Sequence, residues 1–179
     1  TRISDRVMGH DKTYEGTFRL GVETDSQDAD GQIVAEKDAA AVTAEQVEEQ
    51  FKLRLGDQMQ LPPMVSAIKI KGVPLYKLAR KGETVERQPR FIHVYRFELL
   101  DFTPPDVRFR VECTKGTYVR TLAHDVGQAL GVGAHLVALR RTKIGQIDGA
   151  QAHPLAELLE APALDGKVIP LAAALPLLS

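Results

Sequence analysis

Between Arg90 and Cys113 the chain reads RFIHVYRFELLDF, then TPP, then DVRFRVEC. In the second half Val107, Phe109, Val111 and Cys113 alternate with Arg108, Arg110 and Glu112. That period of two belongs to a strand with one face buried and the other in water. The first half is a long run rich in aromatic and β-branched residues, and Pro104-Pro105 between the halves cannot continue a strand. The segment predicts two long strands joined as an antiparallel hairpin.

The second strand runs into a corner, CTKGTYVRTLAHDVGQALG, from Cys113 to Gly131. It turns at Lys115-Gly116 and continues as a helix from about Tyr118 to Leu130, ended by Gly131. Lys115, Tyr118 and Arg120 crowd the junction. Arg120, one turn into the helix, opposes the positive end of the helix macrodipole, which points to a dedicated anionic partner. A carboxylate held by a guanidinium stays ionised, as a nucleophilic carboxylate must.

Elsewhere the pattern predicts a strand over Tyr14–Val22, a turn at Asp28, Asp30 and Gly31, and a short strand at Gln32–Ala35. VTAEQVEEQFKLRLGD predicts an amphipathic helix. Thr43 caps it, Gln46 completes a capping box, Val47, Phe51 and Leu55 face the core, and Gly56 ends it. After Pro62-Pro63 the expectation is a strand at Met64–Ile70, a turn at Lys71-Gly72, and a short helix at Leu75–Arg80 stopped at Gly82. GAHLVALRRTKIGQI reads as a short helix and a strand, and Leu155–Glu160 as a helix. Strands joined by hairpins and broken by single helices give an α+β fold with a mixed, mostly antiparallel sheet flanked by helices.

The formal net charge of -1 hides an asymmetry. Residues 1–60 hold 13 acids and 7 bases, whereas residues 61–145 hold 15 bases and 7 acids. A basic centre in a neutral chain is the footprint of a polyanion binder, although a solvated basic face would read the same way. One cysteine, Cys113, cannot form an internal disulfide, which points to a reducing, cytoplasmic setting. Its place on an apolar strand face favours a core role over a nucleophile paired with His124. The five histidines show no ligand spacing and DSQDADG lacks the twelfth-position Glu of a calcium loop, so no metal is expected. No apolar run is long enough for a transmembrane helix and the N-terminus has no signal-peptide core. The chain starts at Thr1 without Met, and the expectation is that it begins inside a longer protein.

Taken in order and spacing, YEGTFRLGVETDSQDADGQIV, LPPMVSAIKIKGVPLYKLARKGETVER and CTKGTYVRTLAHDVGQALGVGAHLVALRRTKIG resemble the TruB family of tRNA pseudouridine-55 synthases, over roughly residues 10–150. The resemblance implies part of the pseudouridine synthase catalytic fold. The core would be residues 1–150, with a basic RNA-gripping insertion at about 61–90, and residues 151–179 would extend the same domain. It implies an isomerase that turns a uridine of the tRNA T loop into pseudouridine without a cofactor, acting as a monomer. The base is flipped into a pocket and attacked by an aspartate.

By this resemblance Tyr14 matches the tyrosine that stacks on the flipped base and helps remove its C5 proton. Arg120 matches the arginine that pairs with the catalytic aspartate, and Tyr118 and Leu139 match pocket walls. Lys115 is expected to bind substrate at the same corner. Lys69, Lys71, Lys77, Arg80 and Lys81, with Arg140 and Arg141, are expected to grip RNA. The family's aspartate lies in a G-x-L-D-P-x-A-T-G box that none of the 179 residues form. The nucleophile is therefore expected outside this chain, leaving Arg120 without its native carboxylate and the chain alone inactive. Asp28 and Asp30 belong to a different turn and are not promoted in its place. No C-terminal PUA domain is recognisable. The alternative from another class is a non-catalytic RNA-binding or RNA-folding module.

Overall fold

In the computed structural model, which describes residues 9–66, 69–70, 73–74, 85–160, 162–164, 166–170 and 174, the hairpin forms as expected. Its strands are β7 (Arg90–Thr103) and β8 (Asp106–Cys113), and the last pair before the Pro104-Pro105 turn is Thr103 opposite Asp106. Four more strands complete the sheet: β1 (Lys12–Leu20), β4 (Gly56–Gln60), β9 (Ala134–Ile144) and β10 (Ile147–Asp148). The order is β10-β9-β1-β8-β7-β4, and every ladder in it is antiparallel. Two small hairpins stand apart, β2 (Val22–Thr24) with β3 (Ile33–Glu36), and β5 (Lys69–Ile70) with β6 (Val73–Pro74).

The alternation in β8 sorts its faces as its chemistry demands. Val107, Phe109, Val111 and Cys113 are fully buried. On the opposite face Arg110 reaches Glu15 of β1 at 2.6 Å and Glu98 of β7 at 3.9 Å. These half-buried pairs contribute little stability, but they mark the wet side. Helix α1 (Ala44–Lys52) and helix α2 (Val119–Ala129) cover the dry side. Val47 and Phe51 of α1, with Val119, Leu122, Ala123 and Val126 of α2, join Phe18, Leu20, Ile92, Val94 and Phe97 in one core. The Phe51 ring stacks on Phe97 with centroids 3.8 Å apart. Burying side chains of this size stabilises the fold by about 2 kcal/mol each.

Helix α1 starts as its sequence demands: the Thr43 hydroxyl accepts from the Gln46 backbone N–H, and the Gln46 side chain accepts from the Thr43 N–H. Helix α2 has Tyr118 at its N-cap with no capping side chain of its own, and Gly131 past its end at φ 78°. Gly127 lets α2 lie directly on β9, since a Cβ there would sit 2.3 Å from the Ala134 nitrogen.

Five expectations need correction. The first helix ends at Lys52, so Leu55 lies outside it and is 44% exposed. Gly56, at φ 81°, does not cap that helix but opens β4, a polar edge strand reading GDQMQ. Residues 134–144 form one continuous strand, with no helix, because β9 pairs with β1 along its whole length. Strand β1 ends at Leu20, since Gly21 turns the chain at φ 85°. Of the strand expected at Met64–Ile70, residues 69–70 are in a ladder, residues 64–66 are irregular, and residues 67–68 lie outside the described residues. The helix expected at Leu75–Arg80 lies outside the described residues, while α3 (Leu155–Glu160) forms where expected. None of the described helices is long and apolar enough to cross a membrane.

Strand β4 pairs with the start of β7, and the last rung is Gln60 opposite Arg90. The basic stretch 61–89 is therefore bounded on both sides by a single rung of the sheet. Near that rung Arg87 donates to the Pro62 carbonyl at 2.8 Å.

Candidate active site

The strand-to-helix corner is built by local hydrogen bonds. The Thr114 N–H donates to the His93 carbonyl at 3.0 Å, and the His93 N–H donates to the Thr114 hydroxyl at 2.9 Å, extending the β7–β8 ladder past Cys113. Gly116 takes φ 84°, which a side chain would resist, and the Thr117 hydroxyl donates back to the Thr114 carbonyl at 2.9 Å. Tyr118 then begins α2, and Arg120 sits in its first turn. Lys115 stays exposed on the turn, where it lines a hollow of about 390 Å³ with Arg90, Phe91 and Gly116.

Arg120 has the anionic partner its position demanded. Its guanidinium lies 3.7 Å from the Asp28 carboxylate and donates to the Val65 carbonyl. The same group sits 5.9 Å from the centroid of the Tyr118 ring. The turn at residues 24–31 thus supplies a carboxylate to Arg120, one distinct from the aspartate expected outside this chain. That turn is tightly held. The Thr24 hydroxyl donates to the Asp28 carbonyl at 2.8 Å. Gln27 adopts φ 63°, which is uncommon for a residue other than glycine, and the Thr121 hydroxyl of α2 donates to its side-chain oxygen at 2.8 Å. The Leu136 N–H of β9 donates to the Gln27 carbonyl at 3.0 Å, beside an isolated parallel bridge between Asp28 and Leu136.

Farther along β9 the second group assembles. Tyr14 of β1 lies between Val111 of β8 and Arg141 of β9, and Leu139 is opposite Gly16. A Cβ on Gly16 would stand 2.6 Å from the Ala138 carbonyl and 3.0 Å from the Leu139 side chain. The glycine is what allows Leu139 to lean over β1. Burial raises the Tyr14 phenol above its ordinary pKa, the neighbouring Cys113 adds to that, and the charge and hydrogen bond of Arg141 oppose it. Burial first, and then Arg141, lower the Lys12 ammonium; Asp11 and Cys113 oppose this, while Lys115 adds to it. The tyrosine thus looks onto a cationic surface.

Arg140 and Arg141 separate, as successive strand residues must. Arg140 is opposite Glu15, on the wet face, whereas Arg141 is opposite Tyr14. Lys71, Lys77, Arg80 and Lys81 lie outside the described residues, and of Lys69 only the backbone, in β5, is described. Cys113 is fully buried and its thiol is pushed up to about 11, chiefly by burial, so it is a core residue and not a nucleophile. Sequence reasoning set Asp28 aside and missed Gly16, Gln60 and the Val65 carbonyl. Only the TDSQD turn carried a readable signal, a cluster of acids beside a required turn.

Two family models match the chain. One, described as TruB family pseudouridylate synthase (N terminal domain), covers residues 1–119. The other, described as tRNA pseudouridylate synthase B C-terminal domain, covers residues 120–175. They meet inside α2, so their boundary does not separate two packed units. Among curated proteins, the tRNA pseudouridine synthase B of Opitutus terrae is 51% identical over 178 residues, 98% of this chain and 74% of that protein. The protein of the same name from Francisella philomiragia is 49% identical over 146 residues, 81% of this chain and 48% of that protein. The chain thus spans about half the length of the Francisella relative. Among solved structures, a chain of the Cbf5-Nop10-Gar1 complex is 29% identical with a TM-score of 0.65, covering 89% of this chain and 38% of that one. A chain of the H/ACA RNP bound to a substrate RNA containing 2'-deoxyuridine shares the fold at 24% identity and a TM-score of 0.60, covering 89% of this chain and 37% of that one.

Proposed function

The chain belongs to the TruB family of pseudouridylate synthases, and from that premise we propose that it forms the base-binding and RNA-gripping part of an enzyme that converts a T-loop uridine of tRNA, at position 55, to pseudouridine. The reaction exchanges a C1'–N1 bond for a C1'–C5 bond and moves one proton from C5 to N1. No electrons are gained or lost, so no redox cofactor is required.

In this reading the uridine leaves its stack and enters the pocket, where Tyr14 offers its ring to the base and Tyr118 and Leu139 wall the site. An aspartate attacks the nucleoside, the glycosidic bond breaks, the uracil turns, and the new C–C bond forms. Arg120 holds the attacking carboxylate ionised. Tyr14 assists loss of the C5 proton: its phenolate oxygen accepts that proton, and the charge and hydrogen bond of Arg141 help the phenolate to form against the cost of burial. Lys115 meets a phosphate at the corner, and the basic residues of 69–90 hold the RNA backbone. We place the attacking aspartate outside these 179 residues, since none of them form the family's aspartate box.

The observation that carries this reading is Arg120, aimed by Asp28 and the Val65 carbonyl beside the Tyr118 ring. The test is tritium release from a T-arm stem-loop labelled at C5 of uridine, with this chain alone and with the aspartate-bearing segment joined ahead of Thr1. The expected result is salt-sensitive RNA binding by both and release only with the segment present. Release by the chain alone would locate the nucleophile inside it, with Asp28 the first residue to examine. Absence of release from both would overturn the assignment of activity.

A further inference from the structure

Gln60 ends the polar edge strand β4, yet it is only 4% exposed. Burying an amide side chain is costly unless its hydrogen bonds are made, and here they are made to a single residue. The Gln60 Nε2–H donates to the Tyr118 carbonyl at 3.0 Å, and the Tyr118 N–H donates to Gln60 Oε1 at 2.8 Å. The two bonds close a ring that only one orientation of the amide satisfies, since the flipped amide would set N–H against N–H and oxygen against oxygen.

The residue so gripped is the N-cap of α2, which has no side-chain cap of its own. Its carbonyl also accepts from the Thr121 and Leu122 N–H groups of the first helical turn, at 3.1 and 3.2 Å. The amide of Gln60 therefore sets both the direction in which α2 begins and the backbone from which Tyr118 and Arg120 project. A few residues after Gln60, the Val65 carbonyl accepts from Arg120 itself. Gln60 also forms the last rung before the basic insertion, opposite Arg90.

From this geometry we infer that Gln60 is a positioning residue for the isomerisation: its amide ring with Tyr118 ties the root of the RNA-gripping insertion to the corner that aims Arg120. The inference rests on the function proposed above. It requires both a donor and an acceptor at position 60, and that requirement can be tested separately from packing. In Gln60→Glu the carboxylate still accepts from the Tyr118 N–H but faces the Tyr118 carbonyl with no proton to donate. Protonation restores the donor. Gln60→Asn is neutral at every pH but too short to close both bonds.

The experiment measures single-turnover pseudouridine formation at saturating T-arm RNA, in the enzyme that carries both this chain and the aspartate-bearing segment. RNA Kd and amide hydrogen exchange over residues 114–122 are measured alongside. At pH 8 both variants are expected to lose about tenfold to a hundredfold in rate, as displacements of a reacting group by about 1 Å do, with Kd unchanged within about twofold. Relative to wild type, Gln60→Glu regains rate as pH falls and Gln60→Asn does not. The Tyr118 amide exchanges faster in Gln60→Asn. Rates at the wild-type level, losses fully explained by weaker RNA binding, or a Gln60→Glu defect independent of pH overturn the inference. A wild-type enzyme without turnover overturns the proposed function instead. The exchange readout still decides the clamp in that case, since unchanged exchange in Gln60→Asn refutes it.

Discussion

The Asp28 carboxylate lies 3.7 Å from the Arg120 guanidinium, joining the turn after β2 to the first turn of α2. Neither position is favourable alone. Arg120 opposes the helix dipole, and Asp28 sits next to the left-handed Gln27. Together they orient a guanidinium that also donates to Val65, and this arrangement makes Asp28 an aiming group for Arg120.

Replacing Asp28 by Asn leaves a side chain of the same size without the charge. The single-turnover rate should fall about tenfold to a hundredfold, with RNA affinity unchanged within about threefold, because no phosphate-binding cation is removed. Rapid-quench tritium release and filter binding on the same preparation check both parts.

Tyr14→Phe keeps the ring and removes the hydroxyl. Because burial raises the Tyr14 phenol above its ordinary pKa, the change deletes a neutral hydroxyl at neutral pH and leaves net charge alone. Turnover should drop by at least about a hundredfold, the scale of lost general acid–base catalysis. RNA Kd should stay within about threefold, since stacking on the ring survives. Normal turnover in this variant would remove Tyr14 from the chemistry.

Charge reversal at Lys69 and Lys71 addresses the grip. If both contact phosphates, the slope of log Kd against log salt should flatten by about 1.5, given roughly 0.7 to 0.9 per phosphate. Titrations from low to moderate KCl give the slope directly. An unchanged slope would assign these lysines to bulk solvent.

Cys113 predicts an alkaline limit to stability. Its thiol moves from an ordinary 9.0 to about 11 in the folded chain. The unfolded chain therefore releases this proton first, and stability should fall as pH rises from 9 towards 11. Below pH 9 the group is silent. Urea midpoints across that range check the slope, and Cys113→Ser or Cys113→Ala should abolish this part of it. At pH 8 the native thiol should resist a disulfide reagent that the urea-unfolded chain consumes at once.

How much of this could be read from the residues depends on how local the cause is. The β7–β8 hairpin, the Thr43 capping box and the end of α2 at Gly131 follow from period, cap and turn chemistry within a few residues, and they form as read. Strand β4 was not visible, because GDQMQ has no apolar alternation and becomes a strand only by lying against β7. The first half of β9 misled for the opposite reason. Ala134, His135 and Leu136 are all buried in succession: α2 packs on this strand, while the His135 ring reaches the Val22 carbonyl of β2 at 2.8 Å. Tyr14, Tyr118, Arg120 and Leu139 are expectations drawn from resemblance and residue chemistry, and their roles stand as proposals. The contacts that aim Arg120, Asp28 and Val65, come from distant segments and carry no pattern of their own.

The rung at Gln60 and Arg90 gives the stretch between them an unusual freedom. Both of its ends are anchored to neighbouring points of the sheet, so residues can be added or removed in the middle without shifting the register of any strand. The entropic cost of lengthening such a loop grows only with the logarithm of its length. Evolution can therefore revise this stretch as an exchangeable part, while the sheet that receives it stays the same.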